Sequence, residues 1–211
     1  MDPSGNGIAS AVGVRNLHSF DLVMPSEDGA FAVNVRKHAP AELWIAGEPT
    51  QLHSVRLTAA QTAGDIDLGN VVITEAIPNA TLKLTMNNNR GLHLASKLHL
   101  GNDLAVISAD GTYMFLFGVR NNGRVHWPDQ NSKAVYDLPV PAGTYYIAPG
   151  SLETRPFLAL LESIRTNRHA QLDAAGVPKV TVAAGQTKSL AFDAHAAVAA
   201  IIQVGGDLAP D

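Results

Sequence analysis

Asp110-Gly111-Thr112-Tyr113-Met114-Phe115-Leu116-Phe117 is the stretch that decides the fold. Asp-Gly is turn chemistry, because Gly takes positive φ without steric cost and Asp bonds the backbone just beyond it. The residues after it alternate, with Tyr113, Phe115 and Phe117 on one side, and such a rhythm predicts a strand with one buried face. Asp28-Gly29-Ala30-Phe31-Ala32-Val33-Asn34-Val35 has the same design. Each half also carries a later strand of similar character, Val55-Arg56-Leu57-Thr58-Ala59-Ala60 and Val180-Thr181-Val182-Ala183-Ala184-Gly185. Self-similarity of this kind marks a repeated structural unit. The later pair is more widely spaced than the first, so the second half carries an insertion of about 43 residues.

Outward from these anchors nearly everything reads β. Leu82 and Leu84 alternate with Thr81, Lys83 and Thr85, and Leu92, Leu94, Leu98 and Leu100 alternate with His93, Lys97 and His99. Asn121-Asn122-Gly123 suits a tight turn and predicts a hairpin of residues 112–120 and 124–127. Pro141-Ala142-Gly143-Thr144 leads into Tyr145-Tyr146-Ile147 as a further turn and strand. One segment departs from the rule. Thr154 suits a helix cap, Pro156 suits a first turn, and Phe157, Leu160, Leu161, Ile164 and Leu172 recur at helical spacing. A single amphipathic helix over about 155–174 is expected, with Asn167, Arg168 and Gln171 on the wet face and Gly176-Val177-Pro178 as its stop. Ile77-Pro78-Asn79 interrupts the strand pattern and places a boundary between units 1–76 and 77–211. Ala196 to Asp211 is either a closing strand or the opening of a further unit.

The Asp28-Gly29-x-Phe31-x-Val33 segment, the Pro141-Ala142-Gly143-Thr144-Tyr145 turn and Gly64-Asp65-Ile66-Asp67-Leu68-Gly69-Asn70-Val71 together resemble bacterial carboxypeptidase-regulatory-like domains. That resemblance implies a mainly β chain of two tandem Ig-like, transthyretin-like β-sandwich units, the second bearing the inserted helix. It also implies a non-catalytic spacer or interaction domain of a larger exported bacterial protein, extracytoplasmic and adjoining other domains of the same polypeptide or a cell-surface protein. The first unit departs from the pattern at Ala39-Pro40-Ala41-Glu42, where Pro-Ala-Gly-Thr-Tyr would stand, and the second lacks an Asp-Leu-Gly segment.

Composition narrows the partners. The 211 residues carry 15 Lys and Arg against 19 Asp and Glu, a net charge of −4, which offers no broad attraction to nucleic acid. No run nears the roughly 20 apolar residues of a membrane span, so no membrane insertion is expected. The polar start, Met1 to Gly7, lacks the basic and apolar regions of a signal peptide, which leaves a cytoplasmic protein or a segment of an exported one. With no Cys, thiol catalysis and Cys-bound zinc are excluded. Histidine spacing matches no zinc motif, Asp65-x-Asp67 lacks the rest of a calcium loop, and no nucleophile elbow or phosphate loop is present. No cofactor, metal or catalytic residue is therefore expected.

An alternative function is a carbohydrate- or peptide-binding module using the 120–131 loop. Trp127 with Arg124 or His126 would form a stacking platform there, although a Trp in such a loop also serves as a buried anchor. Tyr145 and Tyr146 are neighbours in a strand, so one faces in and the other out, which adds Tyr146 to the candidate ligand contacts. Trp44, between Leu43 and Ile45, belongs to the core. A hydrolase with an unrecognised carboxylate or His site is the third reading.

Overall fold

The computed structural model describes residues 11–16, 19–26, 28–46, 51–71, 76–87, 104–117, 133–150 and 154–207. Its chain is mainly β, with α-helices confined to the C-terminal third among the described residues. It divides into two compact units, Met1–Glu75 and Ala76–Pro210.

In the first unit β1 (Ala11–Asn16), β2 (Ser19–Val23), β3 (Ala41–Ala46) and β4 (Gln51–Leu57) form an antiparallel sheet in the order β4-β3-β1-β2. Val12, Leu43, Ile45 and Leu57 make its core face. Over them lie two extended segments, whose Phe31, Val33, Val35 and Ile66, Leu68, Val71 pack on the same cluster. Residues 31–36 alternate half-buried and exposed, as the rhythm of Phe31-x-Val33-x-Val35 predicts, yet they form no ladder strand. Trp44 is buried on β3. A short 3-10 turn, Gln61–Ala63, is held by a reciprocal cap: the Gln61 side-chain oxygen accepts the Thr58 amide at 2.9 Å and Thr58 Oγ1 accepts the Gln61 amide at 3.3 Å.

The second unit has two sheets facing each other across one core. β6 (Leu104–Ser108), β7 (Met114–Phe117), β9 (Gly143–Pro149) and β10 (Lys179–Val182) make an antiparallel sheet in the order β10-β9-β6-β7. β5 (Ala80–Asn87), β8 (Lys133–Val140) and β11 (Thr187–Asp193) make the other, in the order β11-β5-β8, with β11 parallel to β5. Leu82, Leu84, Tyr136 and Leu138 from one sheet meet Leu104, Val106, Phe115 and Ile147 from the other. β8 alternates strictly, burying Ala134, Tyr136, Leu138 and Val140 and exposing the residues between, and its Pro139 is tolerated because β8 is an edge strand of its sheet. Pro141 and Ala142 carry the chain from β8 in one sheet to β9 in the other. The anticipated hairpin is seen only in its first arm, β7, which pairs with β6; residues 118–132 lie outside the described residues, as do 88–103.

Three helices cover the outer face of the β10-β9-β6-β7 sheet: α1 (Arg155–Arg165), α2 (His169–Ala174) and α3 (Ala194–Gly205), with α1 and α3 packed on β9 and on each other. The single helix expected over 155–174 is thus two. Asn167 adopts φ +58, and the bonds from Arg168 N–H to the Ser163 carbonyl (2.8 Å) and Asn167 N–H to the Ile164 carbonyl (3.0 Å) complete a Schellman stop. Gly176, at φ +75, ends α2 in the same way. Thr154 occupies the cap position of α1 but gives no side-chain cap bond. Arg168 is no solvated filler: it donates to the Val204 carbonyl at 2.7 Å and pairs with Asp207 at 3.2 Å, closing the C-terminal end of α3. Ala194–Gly205 is a helix and not a strand. The Asp193 carboxylate caps α3 by accepting the Ala196 amide at 2.9 Å, and the alanine-rich run after it favours helix.

The repeated Asp-Gly turns share the bonds of a Ser-x-Asp-Gly motif but close differently, with Ser26 N–H donating to the Ala30 carbonyl at 2.9 Å and Ser108 N–H to the Tyr113 carbonyl at 2.8 Å. Ser26 and Ser108 each donate a hydroxyl to the Asp two residues on, at 2.6 Å, and each accepts the following Gly amide on its carbonyl at 2.8 Å. Gly29 and Gly111 take φ +79 and +73. The Asp110 carboxyl is held below the usual carboxylate range although burial opposes its charge, because the Ser108 hydroxyl and the Thr112 amide together outweigh that cost.

Two measurements check this account. Ser108→Ala removes the hydroxyl, so the Asp110 pKa rises toward its ordinary value in a carboxyl NMR titration and the protein loses about 1 kcal/mol in urea unfolding. A Cβ on Gly205 would fall on the Ser163 hydroxyl and 2.5 Å from the Ala159 carbonyl. Gly205→Ala is therefore expected to cost about 1–3 kcal/mol, whereas Gln203→Ala on the exposed side of α3 stays within about 0.5 kcal/mol.

Candidate functional site

Of the four ligand contacts expected from sequence, Arg124, His126 and Trp127 lie outside the described residues. Tyr146 lies within them, and it is not exposed. β9 points Tyr145 and Tyr146 to opposite faces, as a strand must, but both are buried, at 1% and 0% exposure, because helices cover the face that was expected to be wet. Tyr145 enters the core between the sheets, where it donates to the Pro141 carbonyl at 2.8 Å, and burial pushes its phenol far up from its ordinary value.

Tyr146 lies against α2. Its hydroxyl donates to Asp173 Oδ1 at 2.8 Å, and its ring stacks on His169 with centroids 5.9 Å apart and an interplanar angle of 14°. Lys179 Nζ binds both Asp173 oxygens, at 3.0 and 2.7 Å, and sits 5.3 Å from the Tyr146 ring centroid. Burial and then the Asp173 bond raise the Tyr146 pKa. The Lys179 bond, followed by the Tyr146 bond, holds the Asp173 carboxyl low, and Asp173 in turn raises Lys179. Tyr146, Asp173 and Lys179 answer one another, while His169 Nδ1 is buried without a hydrogen-bond partner; the cluster ties α2 to β10 and β9, and Tyr146 is fully buried within it. The correction to Tyr146 follows from the helical layer, which strand alternation alone does not announce.

A more open feature lies in the first unit. A cavity of about 370 Å³ has Val33, Asn34, Val35 and Lys37 on one wall and Gly64, Asp65, Ile66 and Leu68 on the other, with Leu43, Leu57 and Thr62 beneath. Thr62 is locked there by its hydroxyl, which donates to the Ala39 carbonyl at 2.7 Å, while His38 N–H reaches the Thr62 carbonyl at 3.2 Å. Consecutive residues of each extended segment border the space, Val33 to Val35 on one and Gly64 to Ile66 on the other. Among the described residues, the main chain of Phe31 to Val35 and of Gly64 to Ile66 makes no hydrogen bond. The alternation of residues 31–35 is legible as strand-like; that this segment stays unladdered is not. Lys37 and Asp65 are the charged groups on this lining, and among the described residues no three His, Asp or Glu side chains are placed to hold a metal.

Tyr146→Phe keeps the ring stack and removes the phenol donor, so a loss of about 1 kcal/mol is expected in chemical unfolding. The sign of the pH response is set by the lowered Asp173 pKa. Its stabilising share is complete above the ordinary carboxylate pKa near 3.8 and declines as pH falls through the lower folded value, an acid dependence that Asp173→Asn removes.

No family model matches the chain, and no curated protein matches it. Among solved structures, a TIE protein of Bacillus anthracis is similar at 10% identity and TM-score 0.24 over 92% of this chain and 32% of its own. A leucine-rich repeat protein from Bacteroides thetaiotaomicron VPI-5482 is similar at 10% identity and TM-score 0.30 over 91% of this chain and 25% of its own. The chain thus spans a third or less of either protein, and at these scores neither likeness bears on what it does.

Proposed function

We propose that the chain is a non-catalytic module of a larger exported polypeptide, built from two carboxypeptidase-regulatory-like β-sandwich units, which orients neighbouring domains and mediates their contacts. The observation that carries this reading is the Ser-x-Asp-Gly turn, whose Ser-to-Asp, Gly-to-Ser and Asp-to-amide hydrogen bonds recur in both units and which leads each time into an alternating extended segment. Two facing sheets around one core in the second unit agree with it, as does the layer of extended segments over the sheet of the first. The polar groups of the Tyr146 cluster serve the fold, which leaves rigidity and surface as what these units offer a neighbour. Among the described residues no helix is long and apolar enough to cross a membrane. Of the ligand-binding alternatives, the first-unit cavity favours a peptide over a glycan, because its lining holds no aromatic ring for a sugar to stack on.

Two assays test the proposal. The purified protein should turn over none of a panel of fluorogenic peptide, ester and glycoside substrates, and turnover abolished by one substitution would overturn the non-catalytic reading. An epitope tag in the second unit should be cleaved by protease added to source cells with any outer membrane permeabilised; protection until the cytoplasmic membrane is lysed would overturn the exported placement.

A further inference from the structure

We infer that the first-unit groove is a strand-addition site: it takes an extended segment of a partner polypeptide, with small apolar residues at alternate positions, between the main-chain edges of residues 31–35 and 64–68. Strand addition here stands on the geometry of one unit and holds whether or not the module is exported.

The walls identify the occupant. Each is an extended segment whose alternate side chains, Val33 and Val35 on one and Ile66 and Leu68 on the other, already pack over Leu43 and Leu57. Each borders the groove with consecutive residues, and the main chains of Phe31 to Val35 and Gly64 to Ile66 make no hydrogen bond among the described residues. A row of amides and carbonyls at strand spacing next to an apolar floor is answered by another strand, which supplies main-chain partners on both sides and places every second side chain downward. A sugar would bring hydroxyls without that spacing and would find no ring in the lining. A helix, about 10–12 Å across with its own main chain already bonded, would leave the walls unanswered. Five residues of wall correspond to roughly 17 Å of strand, so the recognised segment is about five or six residues long. Lys37 and Asp65 give the lining one charge of each sign, so recognition rests on the main chain and the apolar floor, not on the partner's net charge.

The probe is a fluorescein-labelled octapeptide of alternating Thr and Val, with a Lys at each end for solubility. Saturable binding by anisotropy is expected, with amide hydrogen exchange slowed at residues 32–35 and 65–68 and nowhere in the second unit. Two N-methylated versions, one modified at every Thr and one at every Val, block opposite edges of the peptide, and both should weaken binding at least tenfold because the groove has two walls. Asn34→Pro removes one wall amide while its exposed side chain leaves the core untouched, and it should weaken binding similarly. Absence of binding would overturn the proposal, as would sensitivity to only one methylated series, which signifies addition to a single edge. If the wall amides are already protected in the free monomer, the chain fills the groove itself. If they become protected only as protein concentration rises, with a dimer in sedimentation, a second copy fills it. Either result would also overturn the heterologous partner.

Discussion

Tyr145 and Tyr146 impose the constraint on which the second unit depends. Adjacent residues in a strand point to opposite faces, so burying two tyrosines side by side requires cover above and below the same sheet. One cover is the second sheet, through Tyr136 and Leu138; the other is the helical layer of α1 and α3. Each phenol also needs a polar partner once it leaves water. Tyr145 finds the Pro141 carbonyl in the corner between sheets, and Tyr146 finds Asp173, which Lys179 on β10 supports. The helices are therefore the second wall of the sheet, and α3 reaches α1 closely enough only because Gly205 has no side chain.

The same local design has two outcomes. In the second unit the segment after Ser108-x-Asp110-Gly111 becomes β7 and pairs along β6. In the first, the segment after Ser26-x-Asp28-Gly29 alternates just as cleanly and packs its apolar side, but no ladder forms among the described residues. Turn geometry and side-chain alternation are properties of a few neighbouring residues; a ladder needs a second segment in register at about 4.8 Å. That difference leaves main-chain groups facing a groove, and a groove with strand-like walls is what turns a packing unit into a surface with a preference for a partner.

Much was legible in the residues themselves. The alternations of Leu82-x-Leu84, of Phe31-x-Val33-x-Val35 and of Tyr113-x-Phe115-x-Phe117 all report their buried side, and Gly176-Val177-Pro178 stops a helix where it should. Asn167 is exposed, as its place on the wet face implies, but the stop it makes is not legible, because a left-handed stop needs only one residue to depart from helical φ. The run from Ala196 reads as a closing strand or the opening of a further unit and not as a helix, because small apolar residues suit a buried strand as well as a buried helix; Asp193 acts as a cap only once α1 gives the helix a surface to lie on. The candidate site fared worst. Tyr146 was read as outward from the alternation alone, although the helix that covers it was itself anticipated.

What the chain determined by itself is its local rhythm: where it turns, which side of each segment is apolar, and where one helix begins. These follow from steric limits on φ, from turn hydrogen bonds and from the alternation of side chains along a strand, all decided within a few residues. Tertiary structure alone decided whether a strand's second face meets water or a helix, whether Tyr146 is a ligand contact or a strut, and whether two strand-like segments pair or leave a slot. Those outcomes depend on groups far apart in sequence coming into register, and no window of neighbouring residues contains that information.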